Sequence, residues 1–120
     1  MAGRHKTLLY GTLDILILKT VSFGPLHGYG IARWLEEASG NRIRVEESSL
    51  YPALYRLEES GHLTSSWGRS ELDRRAKFYD LTREGRAKLG AETREWTSFA
   101  EAVTDVLGRD TATGWATQEA

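Results

Sequence analysis

One segment near the start of the chain is apolar around most of a helix circumference, and it limits every architecture the rest can adopt. Across 7–22, Leu8, Leu9, Leu13, Ile15, Leu16, Ile17, Leu18 and Val21 form no single stripe, so a helix here must be covered on more than one side. Asp14 and Lys19 interrupt the run and no small-residue cleavage pattern follows, which argues against a membrane span or a secretory signal. With 120 residues and 40% hydrophobic content, the chain has material for one modest domain, near the size at which a partner subunit often helps. Cysteine is absent, which excludes disulfides and thiolate chemistry and fits a reducing cytoplasm.

The segments that could cover this helix follow in order. FGPLHGYG breaks the pattern, and Ile31, Leu35 and Ala38 resume it as a second helix ending at Ser39-Gly40, glycine being the usual left-handed stop. A turn with Asn41 and Arg42 leads into IRV, which alternates like a brief strand. A third helix follows in SSLYPALYRLEESGHL. HLTSSW and AKFYDL read as two strands joined by the polar loop GRSELDRR. Thr82 is a suitable N-cap for a long last helix, ending near Gly108. Along it Leu89, Trp96 and Val103 recur every seven residues, and Phe99 and Val106 fall three after the last two. Two heptads are too few to stand alone and read as a subunit contact.

Three compact helices followed by a hairpin with a basic tip give a mainly α (α+β) fold class, a winged helix-turn-helix. The expected division is a body over 1–82, a dimerisation helix over 83–108 and a flexible polar tail over 109–120.

If Ser49 caps the third helix, Pro52 falls at the third helical position, where its missing N–H has no intrahelical partner to lose. At about 100° per residue, Leu50, Ala53, Leu54 and Leu57 then face the core. Ser48, Pro52, Tyr55, Arg56 and Glu59 point outward, with Tyr51 at the flank. Such a face of hydroxyls, rings and one guanidinium suits a DNA groove; the plainer alternative leaves both tyrosines half buried against neighbouring helices. Net charge is only −1, but its distribution is uneven. Across 69–88 the cations Arg69, Arg74, Arg75, Lys77, Arg83, Arg86 and Lys88 outnumber Glu71, Asp73, Asp80 and Glu84, and acidic residues dominate beyond. A basic patch in a neutral chain is what a site-specific binder needs. In a winged helix Arg69, Arg74 and Arg75 would lie along a phosphate backbone or in a minor groove; a solvated loop is the alternative. Trp34 and Trp67 read as core or hairpin packing.

PLHGYGIARWLEE, EESSLYPALYRLEESGHL, ELDRRAKFYDLTREGR and the opening LLYGTLDILIL together closely resemble the PadR family of bacterial transcriptional regulators, over about 6–107. The resemblance implies a homodimer, joined in the compact subtype by a single long C-terminal helix, that usually represses transcription at a near-palindromic double-stranded operator. Carried over by residue, it places the recognition helix on 48–60, with Ser49, Tyr51 and Tyr55 facing DNA, Tyr29 reaching the backbone, and Arg74, Arg75 and Lys77 on the basic side of the wing. Asp73 stands where related sequences often carry Asn, and Phe78 where Tyr is usual. The dimer interface is assigned to Leu9, Leu13, Leu16, Leu89, Trp96, Phe99, Val103 and Val106. The resemblance also implies a flat aromatic effector in some members; Trp96 and Phe99 occupy that kind of position, with plain dimer packing as the other reading.

Catalysis is not expected. His5, His27 and His62 lack metal-ligand spacing, no nucleophile has an evident base, and GYGIAR lacks the third glycine of a dinucleotide loop. No cofactor, metal or membrane partner is implied. The alternative to a DNA-binding regulator is a winged helix that docks a protein through its tyrosine face, and the salt dependence of binding separates the two.

Overall fold

The computed structural model describes residues 2–112, with side chains from 12 onward. Four helices and three strands follow one another as α1 (Ala2–Val21), β1 (Leu26–His27), α2 (Gly28–Ala38), α3 (Glu47–Glu59), β2 (Leu63–Arg69), β3 (Arg75–Leu81) and α4 (Arg83–Leu107). The strands form one antiparallel sheet of order β1-β3-β2, with Leu63 opposite Leu81 at its root and Arg69 opposite Arg75 at its tip. Helices carrying a projecting β2-β3 hairpin are the winged helix-turn-helix arrangement.

The strand that joins the hairpin is not where alternation placed it. Residues 43–45 form no strand: Gly40 and Asn41 both take positive φ, 62° and 63°, and the Ile43 amide donates to Ser39 Oγ at 2.8 Å. The chain there is turned back onto the end of α2. The free edge of β3 is taken instead by Leu26 and His27, paired with Tyr79 and Phe78.

The α1 helix supplies the centre of the core, as its apolar circumference requires. Ile17 and Leu18 are fully buried among Ile31 and Leu35 of α2, Leu50, Leu54 and Leu57 of α3, and Leu63 and Tyr79 of the sheet. Leu13 belongs to this cluster, and Leu16 and Leu89 pack against it. These three leucines thus spend most of their surface on the chain's own core, with Leu16 and Leu89 only partly buried. The side chain of Leu9 lies outside the described residues, as does the expected tail beyond 112.

The body and α4 meet at a close joint. Thr82 caps α4, its hydroxyl accepting from the Gly85 amide at 2.9 Å and donating to the Gly61 carbonyl at 2.6 Å. A Cβ on Gly85 would stand 2.0 Å from the His62 carbonyl oxygen, so only glycine fits. Past Leu89 the helix leaves the body, and Trp96, Phe99, Val103 and Val106 remain exposed.

Candidate nucleic-acid interface

The α3 helix starts a turn earlier than the serines suggest. The Glu46 carbonyl accepts from the amides of Ser49 and Leu50 at 3.0 and 2.9 Å, making Glu46 the cap residue, with no side-chain capping bond. Ser49 is therefore inside the helix, not its cap, and Pro52 is at the sixth helical position rather than the third. The early start also puts the carboxylates of Glu46 and Glu47 at the helix end, which suits a phosphate poorly there.

The two faces of α3 follow the 3.6-residue period. Leu50, Ala53, Leu54 and Leu57 are buried, and Ser48, Pro52, Tyr55 and Glu59 are exposed. Tyr51 is 44% exposed and Tyr55 65%, so neither is packed away between helices. The Tyr51 ring runs over α2, and a Cβ on Gly28 would come within 2.6 Å of its hydroxyl. That close approach accounts for the first glycine of HGYG. The next residue, Tyr29, is exposed, and its hydroxyl accepts from Arg33 at 3.1 Å. The Tyr29 bond first, and the Glu37 carboxylate second, raise the Arg33 pKa above its ordinary value, so the guanidinium stays charged.

The hairpin tip is a compact turn. The Asp73 amide donates to the Ser70 carbonyl at 2.8 Å and the Ser70 amide to the Arg74 carbonyl at 2.9 Å. Asp73 takes φ +58°, the left-handed region that Asn and Asp tolerate best among side-chain-bearing residues. Behind the tip His27 ties the hairpin to α2. Its Nδ1 accepts from the Gly30 amide at 2.9 Å, which leaves the proton on Nε2, facing Glu71 Oε1 at 3.3 Å. The Glu71 carboxyl is held below its ordinary range, first by its own backbone amide and then by His27.

The cations assigned to DNA divide into two groups. Arg56 is on the α1 side of α3 and pairs with Asp14 at 2.8 Å; Lys77 pairs with Glu58 at 3.4 Å. Both pairs brace α3, to α1 and to the hairpin respectively, while Arg56 stays exposed and Lys77 lines the groove between α2, α3 and the hairpin. Glu58 also accepts from Ser65 at 2.6 Å, so one carboxylate fixes the angle between α3 and the wing. Arg69 is paired with Asp73 at 3.6 Å but highly exposed, and such a pair exchanges readily. Arg74 is exposed, and the Arg75 guanidinium stacks over Trp67 at 4.4 Å.

Trp67 is the residue that sequence reasoning missed. It shares a strand face with Leu63, which is buried, yet is itself 59% exposed. The face starts in the core at Leu63 and leaves it as the hairpin projects, a change that alternation along HLTSSW does not record. Tyr29, Arg33, Tyr51, Trp67, Arg74 and Arg75 line a groove of about 1200 Å³ between α2, α3 and the hairpin. Aromatic walls and guanidinium groups on one open groove can stack on sugars and neutralise phosphates.

On the distal part of α4 the Trp96 and Phe99 rings lie 6.2 Å apart. A shallow hollow of about 310 Å³ runs beside Trp96, bordered by Ala100, Glu101, Thr104 and Asp105.

Comparison with known proteins agrees with this geometry. The family model described as "Transcriptional regulator PadR-like family" matches residues 17–91. A PadR family transcription regulator from Clostridium difficile is 30% identical, over 81% of this chain and 99% of that one, with a TM-score of 0.70. One from Eggerthella lenta is 29% identical over 90% and 92%, with a TM-score of 0.75. An uncharacterized protein of Lysinibacillus sphaericus is 26% identical over 80% of this chain and 88% of its own length.

Proposed function

Because the chain belongs to the PadR-like family of transcriptional regulators, and so is a DNA-binding regulator rather than an enzyme, we propose that it acts in the cytoplasm as a homodimeric repressor of a near-palindromic operator. The observation that carries this reading is the juxtaposition of the exposed Tyr51–Tyr55 face of α3 with the groove that holds Tyr29, Trp67, Arg74 and Arg75. The α3 helix enters a major groove, and the adjoining phosphate strand passes between α2 and the hairpin. Ser48, Ser49 and Tyr55 meet base edges and sugar, Tyr51 and Tyr29 the phosphates, and the arginines the backbone beyond.

Two copies of the chain pair through the distal part of α4, where Trp96, Phe99, Val103 and Val106 supply an apolar seam that the body does not cover. The pairing holds two α3 helices one DNA turn apart, roughly 34 Å, so both fit successive major grooves. A flat aromatic effector at Trp96 and Phe99 would relieve repression by binding better to a dimer whose half-site spacing no longer matches. The rings in contact and the hollow beside Trp96 support this site.

The test is a titration against a labelled duplex of the chain's own upstream region at several salt concentrations, with an unrelated duplex as control. Tight binding to the first, with log affinity falling steeply and linearly in log salt, is the expected result. Equal weak binding to both, with a flat slope, would contradict it.

A further inference from the structure

Pro52 lies on the open side of α3. It is exposed at the sixth position of α3, where a proline removes the N–H that would close onto the carbonyl of Ser48 and crowds that carbonyl off the helix axis. Ser48, Pro52 and Tyr55 are all exposed and fall on one face at helical spacing, so a carbonyl freed between Ser48 and Pro52 would be on that face. Water satisfies such a carbonyl in the free protein. Against DNA the water is displaced, and a carbonyl left unpaired is costly. Phosphate oxygens carry no proton to give it. The major-groove edges do: the exocyclic amines, N4 of cytosine and N6 of adenine, are the donors they present.

We infer that the main-chain carbonyl of Ser48, released by Pro52, accepts a hydrogen bond from the exocyclic amine of one cytosine or adenine in each half-site and so specifies that base pair. The inference rests on the DNA-binding reading above and adds to it a specificity element that lies in the backbone. Changing the Ser48 side chain would leave it in place.

The experiment pairs one substitution with single-atom changes in DNA. Pro52→Ala restores the N–H and returns the carbonyl to the helix ladder. The full-length wild type and variant are titrated against the footprinted operator, in which each adenine is replaced in turn by purine and each cytosine by 2-pyrimidinone, both lacking the amine. At one position the wild type should lose about tenfold in affinity on amine removal, and Pro52→Ala less than twofold from the same change. Equal losses in both proteins, or no amine-sensitive position in the wild type, would overturn the inference. So would coupling of Pro52→Ala only to thymine-to-uracil changes, which would make the ring, not the carbonyl, the contact. Absence of specific binding by the wild type to any duplex would instead overturn the DNA-binding reading, before the variant is made. A thermal midpoint for Pro52→Ala at or above that of the wild type shows that the fold is unharmed.

Discussion

In the winged-helix body Ile17, Leu18, Ile31 and Leu54 have no exposed surface, whereas on the distal part of α4 Trp96, Phe99, Val103 and Val106 are between 38% and 71% exposed. Both regions carry apolar residues at helical spacing. In the body that spacing is answered from within the chain, because α1, α2, α3 and the sheet close around one another. In distal α4 it is answered by nothing among the described residues. A single helix projecting into water gains little from propensity alone, and an apolar stripe left open on it invites a second copy. Periodicity therefore states that a surface is to be buried, and only the packing around it states by what.

Substitutions in the two regions should separate cleanly. Leu54→Ala opens a cavity in a closed core and should cost about 2–5 kcal/mol by denaturant unfolding. Phe99→Glu with Val106→Glu should instead leave the body folded by circular dichroism while turning the protein monomeric and abolishing the concentration dependence of its thermal midpoint. A double variant that unfolds like Leu54→Ala would erase the contrast. At the joint between the regions, Gly85→Ala forces a methyl onto the His62 carbonyl and should cost about 1–3 kcal/mol, read in the same denaturant assay.

Smaller effects concern the groove between α2, α3 and the hairpin. Arg74→Ala with Arg75→Ala should weaken binding to all duplexes alike and lower the salt slope by about 2; an unchanged slope would place the hairpin away from phosphate. The smallest effect concerns Glu71, whose pKa is lower in the folded protein than its ordinary 4.5. A depressed carboxyl stabilises the fold above the ordinary value and loses that contribution as pH falls through the folded one. The wild type should therefore lose slightly more stability than Glu71→Gln as pH drops below about 4.5, in thermal melts of the two proteins. Identical pH profiles would show that the His27 tie to the hairpin carries no weight.

What the sequence discloses about this fold is its local chemistry. Thr82 as a cap, Gly40 as a stop and the two runs flanking GRSELDRR are each set by residues within a few positions, and the structure follows them. The strand at Leu26–His27 was not legible, because two residues pair only when a distant β3 supplies the edge. Pro52 misled in the opposite sense: proline favours a first turn, so it drew the expected helix start toward itself, past Glu46. Among site residues, Tyr29, Tyr51 and Tyr55 fall on the open face as expected. The ion pairs of Arg56 with Asp14 and of Lys77 with Glu58 were not legible, since each joins two elements that are distant in sequence. Trp67 looked like hairpin packing, because nothing in HLTSSW marks the point at which the wing outruns the helices beneath it.

If the open face of α4 joins two chains, two α3 helices read one operator together. Sedimentation velocity of the full chain, alone and with a single footprinted operator duplex, tests it most directly. The expected result is a free species of twice the chain mass and a saturated complex of two chains per duplex. A free monomer that saturates the same duplex at one chain would contradict it.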